Sequence, residues 1–194
     1  MLMHLVQALL AGWVLYSLWR VVAAPRHAVQ VGTALGAACP AEAAFQVYMG
    51  VREFYLALSP AHLKYEMRGE HLGPDTVIDV WEQAGFQRVQ HQYRVAALVP
   101  GRRMDLVSEQ SQVRVLGLFR STSRSEVSFR FDPDGPAACR LGLSICIVFP
   151  NAWRHLLARL FFTQAIWQRH AEQEMQALAR VIEQRYQTAP ATAA

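Results

Sequence analysis

Apolar positions follow three rhythms along this chain, and each rhythm predicts a different kind of element. The first is continuous. Residues 1–24 read MLMHLVQALLAGWVLYSLWRVVAA, with Arg20 the only charged side chain. Apolar residues here surround the whole helix instead of forming one stripe, unlike a helix lying on a domain surface. About 20 such residues span a bilayer. The second rhythm has period two and predicts strands. Residues 76–82 set Ile78, Val80 and Glu82 against Val77, Asp79 and Trp81. After a turn at Ala84-Gly85, Val89, His91, Tyr93, Val95 and Ala97 oppose Gln90, Gln92 and Arg94. Val127, Phe129 and Phe131 alternate with Glu126, Ser128 and Arg130 until Asp132-Pro-Asp-Gly turns the chain. Leu141, Leu143 and Ile145 share one face of a last strand over residues 139–149. Shorter strands are predicted at residues 28–33, 104–108 and 112–119.

The third rhythm is helical. A stretch opening at Pro40 runs through Phe45 to about Leu58, where Ser59-Pro60 stops it. From Pro150-Asn151 to about Gln187 a single long helix places Leu156, Leu160, Trp167, Met175, Leu178 and Ile182 on one side. Short helices, antiparallel strands and a long C-terminal helix predict an α+β domain over residues 25–187. Its sheet curls around the helix and leaves a cavity between them. Residues 1–24 form a separate N-terminal apolar helix, and the Ala/Thr/Pro tail, residues 188–194, is expected to be disordered.

Composition sharpens this picture at a few points. The 194 residues are 53% hydrophobic and 18% charged, which excludes a disordered chain. The net charge of +4 comes almost wholly from arginine, with Lys64 the only lysine, and the arginines are dispersed. A nucleic-acid groove needs clustering, so no nucleic-acid partner is expected. Three cysteines without a CxxC spacing read as reduced core thiols. For residues 1–24, Trp13, Tyr16 and Trp19 suit a membrane interface, which favours an anchor. Val22-Ala23-Ala24 also resembles a signal-peptide cleavage site, and a helix docked on the domain is the third reading. Arg20 and Arg26 follow the apolar run, which puts the domain of a membrane-associated chain in the cytoplasm.

Candidate chemistry lies in polar residues on apolar faces. His170 and Glu174 are one helical turn apart at the edge of the apolar stripe. Either they are a solvated His–Glu pair or they present two ligands inward. Glu82 shares its face with Ile78 and Val80, so an inward carboxylate there must pair, bind a metal or take up a proton, unless it reaches solvent at the strand end. His62 follows Ser59-Pro60 as a loop residue, and His91 sits on the apolar face opposite Val80 as a cavity-wall histidine or a ligand. Two imidazoles and two carboxylates suit zinc, with Mn²⁺ or Fe²⁺ as alternatives.

The order of elements resembles the START-like (SRPBCC) helix-grip superfamily. Within it, the segment from Phe54 to His62 (FYLALSPAH), then Glu82, then His170-Ala-Glu-Gln-Glu174, is similar to the 2,4-diacetylphloroglucinol hydrolase family. The resemblance covers roughly residues 45–183. It implies a zinc-dependent hydrolase that cleaves the C–C bond between an acyl group and a phenolic ring. It places the metal ligands at His62, Glu82, His170 and Glu174. His91 and Tyr93 are the positional candidates for the general acid, and Ile78, Val80, Val95, Leu141, Leu143 and Trp167 for the wall against a small apolar or aromatic substrate. The alternative is a non-catalytic helix-grip module that holds a lipid or other apolar ligand at the membrane.

Overall fold

The computed structural model describes residues 1–188. Helix α1 (Leu2–Ala23) precedes strand β1 (Ala28–Ala37), helix α2 (Ala41–Met49), a 3-10 turn (Val51–Glu53) and the short helix α3 (Tyr55–Leu58). Strands β2 (His62–Met67), β3 (Val77–Ala84), β4 (Gln87–Val99), β5 (Arg103–Val115), β6 (Phe119–Pro133) and β7 (Cys139–Val148) follow. Helices α4 (Ala152–Leu160) and α5 (Thr163–Thr188) close the chain. The sheet is antiparallel throughout, in the order β1-β7-β6-β5-β4-β3-β2.

Strict alternation gives the sheet its two faces. Inward residues of β7 (Cys139, Leu141, Leu143) and β6 (Val127, Phe129, Phe131) are buried, and their sequence neighbours point outward. Helix α5 lies across the concave face and buries Trp167, Ala171, Met175, Leu178 and Ile182 at helical spacing. Helix α2 closes the same core, with Phe45 edge-on to Phe131 at 5.5 Å and Tyr48 against Phe129 at 4.7 Å.

Several elements differ from the sequence expectation, each for a local reason. The helix expected from Pro40 to Leu58 is interrupted at Gly50, a poor helix residue that ends α2. The strands expected at 104–108 and 112–119 are one strand, β5, with an irregular register between Ser108 and Ser111. Residues 116–118 form a turn, so Phe119 begins β6. The single C-terminal helix is two. Phe162 takes a left-handed φ of 54°, and the α4 carbonyl freed at Phe161 accepts a hydrogen bond from Gln87 Nε2 at 2.9 Å. Gln87 belongs to β4, and no local pattern announces that a distant strand ends a helix. Thr188, expected in the tail, is the last residue of α5, and the rest of the tail lies outside the described residues.

Asn151 caps α4, its Oδ1 accepting from Arg154 N at 2.9 Å. Asn151→Ala is expected to cost about 1 kcal/mol, measured by urea denaturation. Helix α1 is long and apolar enough to cross a membrane. It touches the domain along one edge only, where Trp13 stacks on Phe162 at 4.8 Å and Ser17 and Val21 are buried.

Candidate metal centre

Three elements deliver the four predicted ligands to one point. Strand β2 contributes His62, β3 contributes Glu82, and α5 contributes His170 and Glu174. His62 is therefore the first residue of a strand and not a loop residue. It faces Glu82 across the β2–β3 ladder. The short strand β2 is recognisable only through this pairing, because Ser59-Pro60 reads as the start of a loop. All four side chains are buried.

The distances describe a compact cluster. His62 Nε2 lies 3.9 Å from Glu82 Oε1 and 3.9 Å from Glu174 Oε2. His170 Nε2 lies 3.8 Å from Glu174 Oε2. His62, Glu82 and His170 each offer a ligand atom within 4.8 Å of the others. A tetrahedron with zinc bonds near 2.1 Å has edges of about 3.4 Å, so small side-chain shifts bring these atoms to coordination distance.

Hydrogen bonding around the cluster orients its members. His62 Nδ1 donates to the Tyr55 carbonyl at 2.8 Å, which leaves the Nε2 lone pair facing the carboxylates. The Tyr55 ring stacks on the His62 ring at 4.0 Å, and its hydroxyl donates to Glu82 Oε1. Among the described residues, Nε2 of His62 and Nε2 of His170 are buried without any hydrogen-bond partner. Two orphaned imidazole nitrogens beside two carboxylates fit a cation, because an isolated buried polar atom is costly. The donor set therefore fits zinc.

Charge is shared unequally between the carboxylates. Burial and the Glu82 charge push the Glu174 carboxyl up to about 8. Burial also acts on Glu82, but His170, His91, His62 and the Tyr55 hydroxyl outweigh it and hold that carboxyl below its ordinary range. Without a metal the pair thus keeps one anion and one proton. Burial lowers His170 against the opposing Glu82 charge, so that imidazole is neutral and ready to ligate at pH 7.

The cluster divides an internal space into two lobes that share Glu82, Tyr93 and Ile145 as walls. One lobe runs from Glu82 past His91 and Trp167 to Phe119 and Arg154. The other lies under Tyr48, Val51 and Tyr65. Ile78, Val80, Leu143 and Trp167 line these lobes as expected, whereas Val95 and Leu141 line neither, because both are fully packed within the hydrophobic core.

His91 stands opposite Val80, with Nε2 3.9 Å from Glu82 Oε2. Its Nδ1 is 2.7 Å from Ser111 Oγ, and Ser111 donates onward to Ser125 at 3.1 Å. Burial lowers His91 to about 4, with Glu82 opposing. Tyr93 stacks on His91 at 4.6 Å, and burial, Glu82 and Glu174 push its hydroxyl well above the ordinary phenol range. Tyr55, Ser111 and Gln87 were not visible as site residues in the sequence, since each acts through a partner far along the chain.

No family model matches the chain, and no curated protein is similar to it. Solved structures are similar in shape. The ZhuI aromatase/cyclase of a Streptomyces species superposes with a TM-score of 0.62 at 17% identity, over 84% of this chain and 98% of that one. Norcoclaurine synthase from Thalictrum flavum gives 0.58 at 16% identity, over 82% and 96%. A START superfamily protein from Mycobacterium smegmatis gives 0.55 at 13% identity, over 80% and 98%. The fold is a START-like helix grip. At these identities the likeness establishes the architecture alone. A helix grip with an internal apolar cavity is suited to hold a small hydrophobic molecule or to transform one.

Tyr55→Phe is expected to weaken zinc binding about tenfold, since it removes the hydroxyl that positions Glu82 while leaving the ring on His62. Titration against a competing chelator measures this directly.

Proposed function

We propose that the chain is a zinc-dependent hydrolase that cleaves the C–C bond between an acyl group and a phenolic ring. The observation that carries the reading is the pair of buried, unpartnered Nε2 atoms of His62 and His170 facing two carboxylates at the wall of an apolar cavity. The similarity of this ligand pattern to the 2,4-diacetylphloroglucinol hydrolase family supplies the reaction class.

His62, Glu82, His170 and Glu174 would hold the metal. Bound there, zinc supplies Lewis acidity toward a substrate oxygen and lowers the pKa of water. Tyr55 keeps Glu82 in place and fixes the His62 tautomer. His91 offers its Nε2 lone pair toward the cavity and takes a proton from the attacking water. The acyl carbon gains the hydroxyl, the bond to the ring breaks, and the electron pair stays on the ring carbon. His91 returns the proton to that carbon, so acid and arene are the products. Tyr93 donates a hydrogen bond to the phenolic oxygen. Trp167, Val89 and Ile145 enclose the ring.

The test is hydrolysis of a monoacylphloroglucinol, followed by release of the carboxylic acid. Turnover by zinc-loaded protein and none by His62→Ala supports the reading. Equal rates for both contradict it.

A second reading, a binding module for an apolar ligand, is favoured by the contact of α1 with the domain close to one lobe of the cavity. Native mass spectrometry separates the two, because a co-purified lipid without zinc supports the module.

A further inference from the structure

Four segments far apart in sequence meet at one end of the domain. The β3–β4 turn brings Phe86, the β5–β6 turn brings Leu116 and Leu118 with Phe119 at the start of β6, the α4–α5 junction brings Phe161 and Phe162, and α1 brings Trp13. Phe161 contacts Phe119 at 5.3 Å and Phe86 at 6.5 Å between ring centres. Leu116 N donates to the Phe86 carbonyl at 3.0 Å, and Trp13 stacks on Phe162.

These tips present apolar side chains to solvent. Leu118 is 79% exposed, and Leu116, Phe119 and Phe162 are 54%, 47% and 49% exposed. Leu116 and Phe162 both hold a left-handed φ, at 53° and 54°. Bulky residues seldom adopt that conformation, and it commonly accompanies a functional constraint.

The charge at this end is one-sided. Residues 1–41, 83–104, 110–125 and 150–171 contain no Asp or Glu. Arg114, Arg120 and Arg154, dispersed in sequence, line one shallow depression beside the β5–β6 turn. Among the described residues none of the three has a carboxylate partner. The lobe that begins at Glu82 reaches the same end, where Phe119, Arg120, Arg154 and Phe161 form its rim.

We propose that this end is a docking surface for an anionic lipid bilayer, and that the cavity opens toward the membrane. Phe86, Leu116, Leu118, Phe119 and Phe162 enter the acyl boundary, and the three arginines lie level with the lipid phosphates. Apolar tips surrounded by unpaired arginines, with no carboxylate in the segments that carry them, complement a negatively charged membrane surface. Their contact with α1, the helix apolar enough to cross a bilayer, places them beside the membrane that it would enter. An apolar ligand would then reach the cavity from the lipid phase without crossing water. The inference does not depend on zinc or on hydrolysis.

The test uses the full chain in vesicles of phosphatidylcholine alone or mixed equally with phosphatidylglycerol. An environment-sensitive dye is placed at Leu118→Cys in a Cys146→Ser background, since Cys39 and Cys139 are buried. The control position is Asp134→Cys, in the β6–β7 turn at the other end of β6. The expected result is a blue-shifted dye at 118, quenched by lipids labelled in their acyl chains, with the dye at 134 unaffected. Replacing Arg114, Arg120 and Arg154 with Gln lowers the membrane-inserted fraction, roughly fivefold per arginine, in the anionic vesicles only. A dye at 118 as water-exposed as the dye at 134 overturns the proposal. So does an arginine variant that inserts into the anionic vesicles as fully as the wild-type chain.

Discussion

His170→Ala is expected to lower zinc affinity more than about 100-fold and to abolish measurable hydrolysis. Loss of a hydrogen-bond partner that orients a ligand costs about 10- to 100-fold in metal affinity, and His170 is a direct ligand in the proposed site. The backbone consequence is small, because alanine is the best helix former and the site lies mid-way along α5. Folding can therefore be checked separately by circular dichroism. The same substitution at His62 should act alike, since its Nε2 points to the same two carboxylates. Glu174→Gln is informative in another way. It resembles the protonated state that burial already favours, so the metal-free protein should tolerate it while zinc affinity collapses. A variant that loses stability without zinc but still binds zinc at wild-type affinity would contradict the assignment.

Zinc affinity should rise about tenfold per pH unit from pH 7 to 8 and then level off. The sign follows from Glu174. Its folded carboxyl titrates at about 8, so below that pH the metal-free protein holds a proton that zinc must displace. Burial holds His170 below its ordinary value and His91 at about 4, so neither adds a proton above pH 7. Stability should change in the opposite direction. A carboxyl whose folded pKa is raised above its unfolded value favours the native state at low pH and loses that advantage as the pH approaches 8. The buried histidines oppose this below their unfolded value near 6.5 and are silent above it. Between pH 7 and 8 the metal-free protein should therefore melt at a falling temperature, while the zinc-loaded protein does not. Calorimetry with and without chelator measures both slopes. Parallel slopes would remove Glu174 from the site.

Much of the fold was legible in the sequence because its strands alternate cleanly. Ile78, Val80 and Glu82 share an inward face in the structure as their spacing implied, and Val80 does lie opposite His91. The convergence of His62, Glu82, His170 and Glu174 was also legible, through helical spacing, an inward carboxylate and the family-like order of the motifs. What the sequence hid depends on long-range contacts. Gln87 fixes the end of α4 and accepts a hydrogen bond from Trp167 Nε1 at 2.9 Å, so a strand residue decides where a helix breaks. Tyr55 orients two ligands through its carbonyl and its hydroxyl, and no local motif marks either role. The arginines of the shallow depression look dispersed because 39 positions lie between Arg114 and Arg154, and only folding gathers them. Side-chain chemistry confined to one element can be read from spacing, whereas chemistry assembled between elements requires their register.

The proposed hydrolysis rests on a single cation that joins two imidazoles and two carboxylates inside the grip. X-ray absorption at the zinc edge of the purified full-length chain, combined with metal stoichiometry, examines this directly. The expected result is one zinc per chain, coordinated only by nitrogen and oxygen near 2.0–2.1 Å, with the scattering signature of two histidine rings. That signature should fall to one ring in His62→Ala if any metal remains. Protein that carries no stoichiometric metal after zinc supplementation, or a zinc site with a sulfur ligand or no imidazole, would contradict the account.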